Sequence, residues 1–141
     1  MGQIANIRKR SNDFVRSLNV HIAMAIESKD EDIVDFNRAQ MLQSKRSDNQ
    51  TITPRYTPRY AAFKGISNPN LLLTGEFQGE MFLNVNENDE SYFIGSFDNK
   101  AMILVDRYSD KIFGLNKAHQ ILARQLTTKE LARSYKNKIL G

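Results

Sequence analysis

The residues of this chain that could do chemistry are few, and they do not combine into a catalytic or metal-binding pattern. The sequence contains two histidines, His21 and His119, and no cysteine. Their separation does not match the spacing of paired metal ligands. His21 lies beside the apolar stripe of a predicted helix, where we expect a partly buried structural histidine. Residues 75 to 79, GEFQG, lack the lysine and the following apolar helix of a phosphate-binding loop.

The carboxylates are grouped in polar turns. Glu87, Asp89 and Glu90 lie at the tip of a predicted hairpin, where a general acid–base pair would lack the shielded pocket that it needs. A calcium loop needs regularly alternating oxygen ligands and a closing glutamate, which this segment does not offer. We therefore expect solvated turn charge, no catalytic residue, no metal and no cofactor. An enzyme whose site is assembled from distant residues is the least favoured interpretation.

Length and composition fit one globular domain. The chain has 141 residues, of which 40% are hydrophobic and 26% are charged, both ordinary values for such a domain. The net charge of +4 is compatible with nucleic acid and equally with an ordinary basic surface. Arg8, Lys9, Arg10 and Asp13 interrupt any apolar signal-peptide region. We expect a protein that folds in a cytoplasm.

The apolar spacing predicts an α+β fold with N-terminal helices, a small antiparallel sheet built on a hairpin, and C-terminal helices. An amphipathic helix is expected over residues 3 to 28, which Asn12 and Asp13 could divide in two, and another over 31 to 43. Residues 1 to 141 are expected to form a single domain: a helical part from 1 to 43, an extended arm from 44 to 70, and a sheet with helices from 71 to 141.

The second half of the chain is predicted to place the hairpin between helices. The alternation of apolar residues within 71 to 97 predicts the hairpin, and Asp98 is expected to cap a helix over 99 to 109. The C-terminal part is expected to be helical, and the capping-box spacing at Thr127 and Glu130 leaves open whether it forms one bent helix or two. The core is expected to form from Phe77, Leu83, Ile94, Leu104 and Phe113.

Within the arm, a four-residue motif is stated twice as Thr53-Pro54-Arg55-Tyr56-Thr57-Pro58-Arg59-Tyr60, here called the Pro-Arg-Tyr repeat. Its two prolines should keep the segment extended. Three interpretations are open: the tyrosines pack back on the domain, the repeat anchors a protein interface, or it binds phosphates and stacks on bases. The predicted interface residues are Arg55, Tyr56, Arg59 and Tyr60. The basic C-terminal residues are expected to form a solvated helix face.

Five short motifs occur in a fixed order: DFNRAQM at 35 to 41, ITPRY at 52 to 56, YAAFK at 60 to 64, LTGEF at 73 to 77, and YSDKIFGL at 108 to 115. Together with the order of predicted elements, roughly residues 33 to 140 resemble the small virion-morphogenesis proteins of tailed phages. The resemblance is to the tail-completion or head–tail joining group, especially that of Bacteroidetes phages and prophages. Leu73 departs from the pattern, which often has aspartate there.

The resemblance implies a structural protein of the phage neck that docks other proteins and completes the head–tail joint. A closed ring of identical copies is implied, with neck, portal-adaptor or tail proteins as further partners, in the virion after assembly in the host cytoplasm. Neither a membrane nor nucleic acid is expected as a partner. The alternative function is nucleic-acid binding through the Pro-Arg-Tyr repeat and the basic C-terminal helix.

The resemblance also assigns roles around two turns. Thr74 and Gly75 are expected to turn the chain towards the first strand, and Gly114 to form a second turn. Phe113 and Leu115 beside it are implied to order a loop near a subunit contact. The favoured alternative from the residues alone is a helix C-terminus with Gly114 near its cap and Phe113 in the core.

Overall fold

The computed structural model of the chain describes residues 2 to 72, 75 to 88 and 91 to 140. Seven α-helices and one two-stranded antiparallel sheet occur in these ranges, so the predicted α+β class is confirmed. The elements are α1 (Gly2–Arg16), α2 (Leu18–Ser28), α3 (Asp30–Leu42), α4 (Pro58–Lys64), α5 (Glu76–Gly79), β1 (Met81–Asn86), β2 (Ser91–Ser96), α6 (Ala101–Tyr108), a 3-10 turn (Asp110–Ile112) and α7 (Lys117–Leu140).

The N-terminal helix is divided, but at Ser17 and not at Asn12 and Asp13. The Ser17 hydroxyl donates to the carbonyl oxygen of Asp13 at 3.1 Å and lies 3.2 Å from Nε2 of His21. Only Phe14 of α1 is buried. The break lets α1 pack on α2 and α7 while most of its apolar stripe stays exposed.

The predicted extended arm is wrong in its second half, because α4 lies within it. Thr57 is the N-cap residue, and its hydroxyl oxygen accepts a hydrogen bond from the backbone N–H of Tyr60 at 3.3 Å. Pro58 follows at the first helical position, where its missing N–H costs no helix hydrogen bond. Gly65 ends the helix with a φ of 80°, the left-handed conformation that glycine adopts readily.

The predicted cap at Asp98 is wrong, and the alternative left open at Thr127 is decided in favour of one continuous helix. Helix α6 begins at Ala101, and Asp98 instead accepts a hydrogen bond from the backbone N–H of Lys100 at 2.7 Å in the preceding turn. Thr127 lies inside the continuous helix α7, where its hydroxyl donates to the carbonyl oxygen of Ala123 at 2.9 Å. A Thr-x-x-Glu spacing therefore does not always mark the start of a helix, because a threonine inside a helix can instead donate a hydrogen bond to the carbonyl oxygen one turn earlier.

The core lies between the sheet, α2, α3 and the C-terminal elements. The hairpin pairs Leu83 with Ile94, which places both on the inner face. The five residues expected to be buried lie in one cluster, but only two of them are buried as predicted: Phe77 and Ile94 are buried in it, while Leu83, Leu104 and Phe113 pack against it half-buried. The segment before β1 was expected to be strand-like, but Glu76–Gly79 forms a helical turn.

Candidate protein-interaction surfaces

The two copies of the Pro-Arg-Tyr repeat have different structures and share one aromatic contact. The first copy is irregular, and the second opens α4. The rings of Tyr56 and Tyr60 meet edge to face, with centroids 4.8 Å apart. Both tyrosines are half-buried, whereas Arg55 and Arg59 are exposed. The repeat therefore presents its two guanidinium groups to solvent while its tyrosines pack against each other.

Lys64 is held beside these tyrosines. It lies one helical turn after Tyr60, so both side chains share a face of α4. The ammonium nitrogen Nζ of Lys64 donates to Asn70 Oδ1 at 2.7 Å and to the Tyr56 hydroxyl at 3.1 Å. It also lies 5.1 Å from the centroid of the Tyr56 ring. These contacts are to neutral groups, so they fix the position of the positive charge without neutralising it.

Residues of α4 and α6 line one cavity of about 470 Å³, here called the basic groove. From α6 and the position before it come Lys100, Leu104, Arg107 and Tyr108, whose spacing places them on one helix face. From the Pro-Arg-Tyr repeat and α4 come Tyr56, Thr57, Tyr60 and Lys64, while the intervening segment contributes Leu71, Leu72, Gly75 and Phe77. The groove is therefore mainly apolar and aromatic, with three cationic side chains.

The outer face of the hairpin carries a cluster of three phenylalanines, here called the aromatic face: Phe82, Phe93 and Phe97. Phe82 stacks on Phe97 with centroids 4.2 Å apart and meets Phe93 edge to face at 6.0 Å. Phe93 is 58% exposed and Phe97 73% exposed. Gly95 lies opposite Phe82, and a Cβ there would lie 3.0 Å from the Phe82 ring. The glycine thus makes room for the Phe82 ring against the sheet.

The segment around Gly114 is fixed to α3 by two buried amides. Asn37 donates to the carbonyl oxygen of Ile112 and accepts from the N–H of Gly114, both at 2.9 Å. Gln40 donates to the Gly114 carbonyl oxygen at 2.9 Å and accepts from the N–H of Asn116 at 2.8 Å. Both amides have no exposed surface. We call this set of hydrogen bonds the amide clamp; it holds the irregular segment from 112 to 116 against α3.

The structure therefore places the predicted site residues in different surroundings and does not bring them together in one site. Tyr56, Tyr60 and Gly75 line the basic groove, and Arg55 and Arg59 lie in solvent. Phe113 is half-buried against the core and Leu115 is 4% exposed, so Leu115 offers no side chain to a partner in this conformation. Gly75 and Gly114 have φ values of 85° and 100°, as turns require. Leu73 and Thr74 lie outside the described residues.

Sequence reasoning missed the residues that build these surfaces. Asn37 and Gln40 are polar residues one turn apart in an otherwise apolar helix stripe, which is a signal for a buried polar contact. The face of the hairpin opposite Leu83 and Ile94 carries Phe82, Phe93 and Phe97. Apolar residues at alternating positions on both faces are the signal for a sheet that is apolar on both sides. Lys100 and Arg107 gave no signal, because their relation to Lys64 depends on the tertiary fold.

Comparisons of the chain with models of known protein families, with curated proteins and with solved structures found no match. In the described ranges no helix is long and apolar enough to cross a membrane. The same part of the chain contains no group of three or more histidine, aspartate or glutamate side chains arranged to hold a metal ion.

Both histidines are held in surroundings that favour their neutral form. His119 stacks on Phe36, and its Nδ1 lies 2.6 Å from Gln40 Oε1, so Nδ1 carries the donated proton. Burial lowers the pKa of His119. His21 stacks on Phe14 at a centroid distance of 3.9 Å, and its pKa is lowered by burial and by the charge of Lys138.

These lowered pKa values predict a loss of stability in mild acid. Above the unfolded-state histidine pKa of about 6.5, the imidazoles are neutral in both the folded and the unfolded chain. The contribution of the two histidines to the free energy of unfolding is then fully present. It is lost as pH falls through the lower folded-state pKa values of His21 and His119, because the unfolded chain then binds more protons. Urea unfolding between about pH 7.5 and pH 5.5 should show a falling free energy of unfolding.

Histidine titration can be separated from that of the two ion-paired carboxylates Asp48 and Glu130. Hydrogen bonding by Arg46 lowers the pKa of Asp48 to about 2, and Arg133 likewise lowers the pKa of Glu130, so both carboxylates titrate in stronger acid. The variants His21→Leu and His119→Leu should each flatten the slope in mild acid. A slope that is unchanged in both variants would contradict this assignment.

Proposed function

We propose that the protein is a structural component of a tailed-phage virion, located at the neck, where it completes the head–tail joint by docking other proteins. The observation that carries this proposal is the aromatic face, together with the order of motifs described above. Exposed aromatic clusters are typical of protein interfaces, in which phenylalanine and tyrosine are enriched. We propose no reaction and no cofactor.

The aromatic face is assigned to contacts between copies of the chain. A ring requires a heterologous interface, in which two different surfaces of the same protein meet and the rotation closes. The aromatic face supplies one such surface on a hairpin, and Met102 and Ile103 of the neighbouring helix α6 are also largely exposed. Exposed apolar side chains on two consecutive elements are what a ring contact would bury.

Electron microscopy of particles from cells that encode the chain tests the location. Gold-labelled antibody against the purified protein should mark the junction of head and tail. Particles without label, or label over the whole shell, would contradict the proposal. DNA binding by the purified chain that falls steeply with salt would favour the nucleic-acid alternative, since phosphate contacts release counterions.

The aromatic face has its own test. The double variant Phe93→Ser/Phe97→Ser should leave heads and tails unjoined, while the free energy of unfolding changes by less than about 1 kcal/mol because both side chains are exposed. The matched control is Ile4→Ser, 63% exposed on α1, which should join heads to tails normally. If heads and tails joined normally in the double variant, the aromatic face would not be needed for the head–tail joint and its assignment would be wrong.

A further inference from the structure

We propose that the basic groove binds a short peptide segment of another protein in which apolar side chains alternate with carboxylates. The inference does not depend on the virion location, because it follows from the lining of the groove alone. Its apolar part comes from Leu71, Phe77 and Leu104, and its charged part from Lys64, Lys100 and Arg107. A ligand that satisfies both parts must itself be apolar and acidic.

The charge of the groove is not balanced from within. Among its described lining residues none is acidic. The ion pairs found in the described ranges involve Arg38, Arg46, Lys111 and Arg133 as their cations, and none of these lines the groove. A carboxylate arriving from a partner would therefore meet three cations that have no carboxylate of this chain within ion-pairing distance in that part of the structure.

Two of the three cations are held in place before any ligand arrives. Lys64 is fixed by Asn70 and the Tyr56 hydroxyl. Arg107 donates from Nε to the Tyr108 hydroxyl at 3.1 Å, which leaves its two terminal nitrogens for a carboxylate. Since these side chains are already positioned, less conformational entropy is lost when a ligand binds. The arrangement is that of a prepared anion site beside an apolar surface.

A peptide fits the groove better than a nucleic acid does. Stacking of bases needs open aromatic faces, but the Tyr56 and Tyr60 rings contact each other edge to face and the Lys64 ammonium lies over the Tyr56 ring. The volume of about 470 Å³ accommodates a few side chains, within the range of pockets that enclose their ligands. Leucine-sized side chains would contact Leu71, Phe77 and Leu104, with carboxylates at the rim.

The test is a titration of the isotope-labelled full chain with a short peptide in which glutamate and leucine alternate. NMR amide shifts should concentrate on the residues that line the groove. Two matched peptides separate the contributions: one with lysine in place of glutamate should not bind, and one with serine in place of leucine should bind much more weakly. An oligothymidylate that shifted the same amides more strongly than the peptide would overturn the proposal in favour of nucleic acid.

Charge-reversal variants give the second arm. Lys100→Glu/Arg107→Glu should weaken binding of the glutamate–leucine peptide at least about tenfold, since two charge-assisted contacts are replaced by repulsion. Both side chains are exposed, so folding should be retained. The control Lys136→Glu changes an exposed lysine of α7 that is not among the groove residues and should leave the affinity within about twofold. Equal weakening by both variants, or no peptide binding to the unmodified chain, would refute the proposal.

Discussion

Replacement of Phe77 by alanine is expected to lower the free energy of unfolding by about 3–5 kcal/mol. The side chain is 6% exposed and belongs to the main core cluster. Its ring lies 5.7 Å from that of Phe113, and its backbone carbonyl accepts a hydrogen bond from the Ser96 hydroxyl at 2.8 Å. Removing the ring would take away its contacts with Phe113 and the core cluster and leave an unfilled space beside the basic groove, which Phe77 also lines.

The matched control for this prediction is Phe63→Ala. Phe63 is 84% exposed on α4, so the same chemical change should alter the free energy of unfolding by less than about 1 kcal/mol. Urea unfolding of both variants measures the difference. If Phe77→Ala lowered the free energy of unfolding as little as Phe63→Ala does, Phe77 would not belong to the core. The packing described for the segment before β1 would then be wrong.

Much of the fold follows from periodicity in the sequence. Ile33 and Val34 with Met41 mark the buried side of α3, and the alternation in β1 and β2 gives the register that pairs Leu83 with Ile94. These signals are local, because one face of each element must be apolar to be buried. For this reason the place of the core was predicted correctly, although three of its five predicted residues are only half-buried.

The errors occurred where one residue type supports two structures. Proline was interpreted as a signal for extended chain, but after a threonine it also opens a helix, as Thr57 and Pro58 do for α4. At Thr127 the sequence left one helix or two open, and the structure has the single helix α7 there. In both cases the helical propensity of the neighbouring residues decided the outcome. A four-residue motif does not contain that information.

The candidate surfaces were less predictable than the fold. Tyr56 and Tyr60 were predicted from the Pro-Arg-Tyr repeat, but Lys100 and Arg107, which line the same groove, lie about 40 to 50 residues further along the chain. Only the tertiary structure brings them to one groove. The tailed-phage resemblance implied that Phe113 and Leu115 lie near a subunit contact, whereas the residues alone favoured Phe113 in the core. In the structure Phe113 packs half-buried against the core and Leu115 is buried, and the amide clamp fixes the backbone between them.

Replacement of Gln40 by leucine should be among the most damaging single changes. The amide of Gln40 pairs with the carbonyl oxygen of Gly114 and the N–H of Asn116, and both would lose their partner inside the protein. An unsatisfied buried polar group costs about 1–3 kcal/mol. The buried N–H of Asn116 bears this cost in full, whereas the half-buried carbonyl oxygen of Gly114 and His119 Nδ1, which also contacts Gln40 Oε1, can be partly hydrated. We therefore expect the free energy of unfolding to fall by at least about 1–3 kcal/mol. The leucine side chain is close in volume to glutamine, so a cavity would contribute little to this loss.

The control is Gln43→Leu, the same substitution at an exposed position directly after α3. Its effect on the free energy of unfolding should be within about 0.5 kcal/mol. Amide hydrogen exchange gives an independent readout, because the N–H of Asn116 should exchange much faster in Gln40→Leu and unchanged in the control. If Gln40→Leu were as stable as the unmodified chain, the Gln40 half of the amide clamp would contribute nothing to stability, and the hydrogen bonds of Asn37 to Ile112 and Gly114 alone would hold this segment.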